Sequence, residues 1–332
     1  MHDPQYLIWL VVFFAVIFDF INGFHDTANA IATVISTRVL SPILAITMAA
    51  GLNFFGAVSG TEVAKTVGSG IIGTNISQHA VIAALIAAII WNLITWRQGI
   101  PSSSSHALIG GLVGAGLGFA GVDQVKWSIL FQKVLLPTVA SPFLGFIIAF
   151  VFMNILFKVL AGIPFKASGF FRRAQLVSAA FMAFSHGSND AQKTMGIITL
   201  GLIASGVIPA TPFHVPIWVI IISALAMALG TAGGGWKIIH TMGSRLTKLT
   251  PIHGFGAETS AATILEIASR FGFPISTTHV ISSTILGVGA SRRLKAVRWN
   301  IAGRIFQAWV LTIPVCAGIA FLAYHGVRFL IS

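Results

Sequence analysis

The chain predicts an all-helical polytopic membrane protein with about ten membrane segments in two repeats of opposite topology. Three observations carry that prediction: a charge deficit, apolar runs of span length from end to end, and pairs of polar motifs at a nearly constant offset.

The deficit comes first. Of 332 residues, 56% are hydrophobic and only 8% charged, with a mean hydropathy of +0.90. A soluble domain carries about 25% charged residues. The formal charge of +12 would suggest nucleic acid in another composition. Here the Lys and Arg residues sit in short connections between apolar runs, where the positive-inside bias accounts for them, and nucleic acid is excluded as a partner. The single cysteine, Cys316, lies in an apolar run and reads as a packing residue. The opening MHDPQYLIWLVVFFAVIF lacks a basic n-region and a small-residue cleavage site, so it reads as a first span.

Runs of about 20 apolar residues fall near 5–35, 40–60, 78–97, 102–120, 130–160, 174–205, 214–235, 256–272, 275–290 and 302–331. Arg38, Arg97, the group Lys158, Lys166, Arg172 and Arg173, then Lys237, Arg245 and Lys248, then Arg292, Arg293, Lys295 and Arg298 follow alternate runs. Lys65, Lys126 and Lys133 are the exceptions on the opposite side, and Asp3 is expected in a loop. This bias places 158–174, 236–256 and 291–301 in the cytoplasm and both termini outside. Five segments precede the central basic connection and five follow, and an odd number inverts the second half. The domains are then 1–160, a short connection at 161–173, and 174–332. Re-entrant helical hairpins at the Pro-Ser and Pro-Ile segments are the alternative to full crossings, and they keep that parity.

The repeat is also written in residues. Gly23-Phe24-His25-Asp26 returns as Gly187-Ser188-Asn189-Asp190, 164 positions on. Pro101-Ser102-Ser103-Ser104-Ser105-His106 returns as Pro274-Ile275-Ser276-Thr277-Thr278-His279, 173 positions on. A weaker echo pairs Thr66-Val67-Gly68-Ser69 with Thr241-Met242-Gly243-Ser244. Inverted repeats mark secondary transporters, whose site lies at the repeat interface.

Five acids, Asp19, Asp26, Asp190, Glu258 and Glu266, fall inside apolar segments. Each would cost at least about 2.5–3.5 kcal/mol at the bilayer centre unless paired, protonated or facing water. Asp26 and Asp190 stand out, being repeat-equivalent and surrounded by polar residues. Gly23 and Gly187 would let the backbone open beside them. Carboxylate, amide and carbonyl oxygens suit Na⁺ or protonation-coupled transport; the His and Cys spacing of a zinc site is missing. Pro101 and Pro274 each precede a helix start rich in hydroxyls. Free N–H groups and the dipole there attract anions. The Gly110, Gly114 and Gly118 series reads as close helix packing, and the Phe and Trp residues as lipid-facing or interfacial.

DFINGFHDTANAIATVI (19–35), AFSHGSNDAQKTMG (183–196), PSSSSHALIG (101–110) and PISTTHVISS (274–283) resemble the duplicated signatures of the inorganic phosphate transporter (Pit) family. The resemblance covers nearly the whole chain, with a central connection shorter than many relatives carry. It implies electrochemically driven uptake of inorganic phosphate across the bacterial inner membrane, without enzymatic turnover or a cofactor. It also implies phosphate ligation by Ser103, Ser104, Ser105, Ser276, Thr277 and Thr278, and cation coupling at His25, Asp26, Asn29, Asn189, Asp190 and Glu258. His25-Asp26 stands where sodium-coupled members show Asn-Asp, as in members that resemble proton symporters of phosphate or neutral metal phosphate. The expected coupling ion is the proton, with Na⁺ as the alternative and a divalent metal as companion cargo. Expected partners are inorganic phosphate, the bilayer and a second copy of the chain in a homodimer. A carrier for another oxyanion such as sulfate shares these physical features. An anion channel would need a continuous pore, and an enzyme acting on phosphate esters would need a metal cluster, P-loop or nucleophile elbow that the sequence lacks.

Overall fold

A computed structural model describes residues 6–161 and 168–331. Asp3, and residues 162–167 of the expected connection at 161–173 with Lys166 among them, fall outside these residues. The described residues are helical, apart from turns and one isolated antiparallel bridge between Ile72 and Val125.

In chain order the helices are α1 (Leu7–Ser36), α2 (Pro42–Ala57), α3 (Glu62–Lys65), α4 (Gln78–Gln98), α5 (Ser104–Ala120), α6 (Trp127–Ile129), α7 (Leu136–Val159), α8 (Ser168–Ala204), α9 (Ile217–Gly233), α10 (Trp236–His240), α11 (Pro251–Arg270), α12 (Thr277–Arg292) and α13 (Trp299–Ile331). All ten expected segments are therefore helices. Four of them are long and apolar enough to cross a membrane by length and composition, or six when each bent pair counts as one span. Those that fail the test, α5, α8, α11 and α12, carry the polar motifs or are cut short by them.

Local chemistry sets the boundaries. Ser41, Ser77, Ser103 and Ser276 cap α2, α4, α5 and α12, each hydroxyl accepting a backbone N–H three residues on. Thr250 and His253 form a capping box on α11, which begins with Pro251. α4 ends at Gly99, whose φ of +66° suits glycine.

The helices alternate between two faces. One face gathers the ends near Ser36, Gly99, Arg172, Gly243 and Arg298. There Ser36 donates to the Gly243 carbonyl, Thr241 to the Gly99 carbonyl at 2.8 Å, and Arg172 to the Arg38 carbonyl at 3.2 Å. The other gathers Ser69, Lys126 and Phe273, with Lys126 donating to the Ser69 carbonyl at 2.6 Å and Lys133 lying 4.3 Å over the Phe273 ring. Arg38, Arg97, Arg172, Lys237 and Arg298 gather on the first face.

The weakest sequence echo has the clearest local counterpart. Thr66–Gly70 and Thr241–Arg245 are both π-helical. Each closes a pair bent at a glycine-containing break, α2 with 62–70 at 64° and α9 with 236–245 at 62°. In packing, α2 lies on α8 while α9 lies on α1, and α5 lies on α13 while α12 lies on α7. Each of these helices thus finds a partner in the other half.

Two apolar cores result. One takes Ile8–Phe18 of α1 and Ala191–Leu202 of α8; the other takes Ala28–Val34 of α1 and Ala179–Ala183 of α8. Between them both long helices run polar, from Asp19 to Thr27 and from Ser185 to Asp190. The fold therefore holds its polar belt between two dry layers. Apolar side chains such as Trp9, Phe13, Phe143 and Phe306 form the exposed girdle expected against lipid. Trp309 departs from that expectation: it is buried, stacks on His279 at 4.0 Å and donates to the Pro101 carbonyl at 3.1 Å.

The glycines beside the acids correct another expectation. α1 and α8 stay helical through Gly23 and Gly187, so the backbone does not open there. These glycines instead allow close helix contact. A Cβ on Gly187 would sit 2.1 Å from the Asn53 carbonyl oxygen, and one on Gly23 would sit 2.4 Å from that of Met227. Gly114 meets the Ala317 carbonyl oxygen at 2.0 Å in the same sense, as the small-residue series predicts.

Candidate substrate and cation site

Asp26 and Asp190 meet in the polar belt. With His186, they offer ligand atoms that all lie within 4.8 Å of one another. The starts of α5 and α12 converge on these carboxylates from opposite halves. Ser104 donates to Asp26 Oδ2 at 2.9 Å and Thr277 to Asp190 Oδ2 at 2.8 Å, each to the acid of its own half. Thr278 crosses over and donates to Asp26 Oδ1 at 3.3 Å. Asn29 bridges the two sides, its Nδ2 donating to Thr277 at 3.1 Å and Thr278 at 2.9 Å. All of these side chains are buried.

The hydroxyls divide into two kinds. Ser103 and Ser276 accept the His106 and His279 backbone N–H groups and so cap their own helices. Ser104, Ser105, Thr277 and Thr278 occupy the first turns, where hydroxyls, free N–H groups and the positive dipole end combine. Behind them His106 and His279 pack edge to face at 4.5 Å, with Thr138 2.8 Å from His106 Nε2.

His25 Nδ1 lies 2.7 Å from Asp26 Oδ1, and its Nε2 lies 3.1 Å from Thr95 Oγ1. The repeat-equivalent contact in the second half runs from Asn189 Nδ2 to Ser269 at 2.9 Å. Glu258, grouped above with the coupling residues, stands apart. Its carboxylate accepts from Thr33, Gln175 and Ser178, and Thr33 follows Asp26 by two helical turns, about 10 Å along α1. Three donors satisfy this buried acid locally, so it forms a separate polar cluster.

Two residues outside that coupling group enter the site. His186 Nε2 is 3.1 Å from Asp190 Oδ2. Lys193 is buried, forms an ion pair with Asp190, and donates to Ser105 at 2.5 Å and to the Ile275 carbonyl at 3.0 Å. The sequence signal for Lys193 is register: it lies 164 positions after Asn29.

Clefts approach from both faces. One of about 340 Å³ includes Glu62, Ser188, Glu266 and Ser269 in its wall, and Ser269 holds Asn189. On the basic face, Gly99, Lys237, His240 and Arg245 line a second of about 380 Å³. An adjoining cleft adds Pro101 and Arg304, and neighbouring Ser102 donates to Thr95 at 2.8 Å, beside His25.

A model described as the phosphate transporter family matches residues 22–166 and 162–320. A probable low-affinity inorganic phosphate transporter of Rhizobium meliloti (strain 1021) is 50% identical over 315 residues, covering 94% of each chain. A protein of the same description from Bacillus subtilis (strain 168) is 46% identical over 319 residues, covering 95% of each. Among solved structures, one titled the sodium-dependent phosphate transporter matches with a TM-score of 0.87 and 27% identity, covering 98% of this chain and 100% of that one.

Proposed function

The chain belongs to the phosphate transporter family, and from that premise we propose that it imports inorganic phosphate across the plasma membrane as a secondary active symporter driven by a proton gradient. One observation carries the reading: two hydroxyl-bearing helix starts, one from each half, converge on two buried carboxylates. The paired bends and paired π-helical stretches support an inverted repeat with the site on its pseudo-two-fold axis. Clefts on opposite faces support a carrier that alternates between two access routes.

The coupling follows from donor counting. A hydroxyl has a single proton to give. In the described arrangement Ser104, Thr277 and Thr278 give theirs to Asp26 and Asp190. A phosphate would compete for the same protons and be repelled by the same charges. Protonation of a carboxylate removes the repulsion and frees the hydroxyls to turn toward phosphate. Cation loading and anion binding then strengthen each other reciprocally. His25, hydrogen-bonded to Asp26, is the group placed to pass that proton. Where the cargo is a neutral metal phosphate, Asp26, the acid without a lysine counterion, would meet its metal.

Sodium coupling is the second reading, favoured by the likeness to a structure titled as sodium-dependent. Labelled-phosphate uptake into proteoliposomes, with proton and sodium gradients imposed independently and Mg²⁺ present or absent, separates the two. Accumulation driven by the proton gradient alone is expected. Accumulation that requires sodium, or that sulfate competes for equally, would replace this reading.

A further inference from the structure

Lys193 has no part in the coupling argued so far, yet it is among the largest side chains buried in the molecule. Its position follows from the repeat. The step of 164 residues that takes His25 to Asn189 and Asp26 to Asp190 also takes Asn29 to Lys193. The contacts obey the same symmetry. Asn29 donates to Thr278 across the axis, and Lys193 donates to Ser105, the residue 173 positions before Thr278.

At these mirror positions the surroundings differ in one respect. Around Lys193 Nζ stand a carboxylate oxygen of Asp190, the Ser105 hydroxyl oxygen and the Ile275 carbonyl oxygen. Carboxylate, hydroxyl and carbonyl oxygens are the set that a small hard cation takes. Asn29 itself brings an amide in place of the ammonium, and its Oδ1 is buried without a hydrogen-bond donor among the described residues.

We propose that the Lys193 ammonium is a built-in cation occupying the second of two repeat-related cation positions, so that sodium is excluded from Asp190 and the travelling cation is confined to the Asp26 and Asn29 side. The inference rests on the symport reading above. A second positive ion within a few ångström of the ammonium would be strongly repelled in so dry a site. The tethered charge also offers the hydroxyl nest a permanent positive pole before any mobile ion arrives. Transport therefore needs one fewer cation per phosphate than a carrier with both positions open.

The test compares wild type with K193N, which copies the Asn29 side onto the Asp190 side. Phosphate uptake by wild-type proteoliposomes at a fixed proton gradient is expected to ignore an imposed sodium gradient. K193N is expected to gain sodium stimulation of roughly fivefold or more and to carry one additional positive charge per phosphate. Folded K193N without a sodium response, or wild type responding as strongly as the variant, would overturn the proposal. If K193N does not fold, K193Q takes its place. Melting of wild type and K193N in NaCl and in choline chloride at equal ionic strength gives an independent check. A sodium-specific rise larger in K193N than in wild type supports the proposal, and equal rises in the two proteins contradict it. Binding of labelled sodium to purified protein needs no phosphate uptake: one more sodium bound by K193N than by wild type supports the lysine's role and equal binding contradicts it, even if wild type accumulates no phosphate and the symport reading fails.

Discussion

On α1 the run His25, Asp26 and Asn29 brings a carboxylate, an imidazole and an amide to the centre of the molecule. On α8 the equivalent run Asn189, Asp190 and Lys193 brings a carboxylate, an amide and an ammonium. Both runs lie on long helices that pass between the same two apolar cores. Both carboxylates take a hydroxyl from the adjacent helix start of their own half. The scaffold is thus nearly symmetric while the electrostatics are not. The second half carries its own counterion and the first half must obtain one. A duplicated frame can let one copy keep a variable charge state while the other serves as a fixed reference.

Substitution of each acid by its amide should expose this difference most strongly. Gradient-driven uptake is expected to vanish in both D26N and D190N. Stability should separate them. D190N strands the buried Lys193 charge, and breaking a buried pair costs about 3–5 kcal/mol. D26N loses only hydrogen bonds to the carboxylate, worth about 1–3 kcal/mol. Thermal denaturation of the two purified variants measures the gap, and equal losses would abolish the proposed contrast.

Replacing His25 sharpens the same comparison from the other side. H25N copies Asn189 and can still reach Thr95, as Asn189 reaches Ser269. Proton-driven uptake is expected to fall roughly tenfold with loss of the imidazole bond to Asp26, while phosphate protection against heating persists. Unchanged uptake would remove His25 from the proton route.

Where the frame is symmetric, effects should match. G23A and G187A both force a methyl group into a backbone carbonyl of the facing helix. Each is expected to cost about 1–3 kcal/mol by overpacking, read as a lower melting temperature. A large difference between them would mean that the halves pack unequally. Least affected should be S103A and S276A, which lose only a cap worth about 1 kcal/mol. Their apparent phosphate affinity should stay at the wild-type value, whereas S104A and T277A should weaken it. Weakened phosphate binding in S103A would return that hydroxyl to the substrate-binding set.

Much of this was legible in the residues, because hydrophobic runs and paired motifs are local signals. Every one of the ten runs is a helix, and Asp26 and Asp190 were identifiable from their equivalence alone. Other features depend on contacts that sequence spacing does not report. Which hydroxyl caps and which faces the acids depends on where the first helical turn begins, one residue after Ser103 or Ser276. Glu258 looked like a site acid because burial of a charge was visible, but its donors Gln175 and Ser178 come from a distant segment. Lys193 was hidden differently. Its register matched Asn29, but a lysine and an asparagine do not look like a pair until the symmetry is imposed. The glycines misled because freedom of the backbone and closeness of approach favour the same residue.

The exchange of partners between halves also has a consequence for synthesis. α5, with its row of small residues, leaves the ribosome long before α13, the helix it lies against. At roughly 5–20 residues per second, translation of the intervening chain leaves Gly110 and Gly114 waiting some tens of seconds for the surface that covers them. A nascent chain that still lacks α13 would therefore present an unsealed groove to lipid or to quality-control proteases. Arrival of α13 is the event that closes this groove.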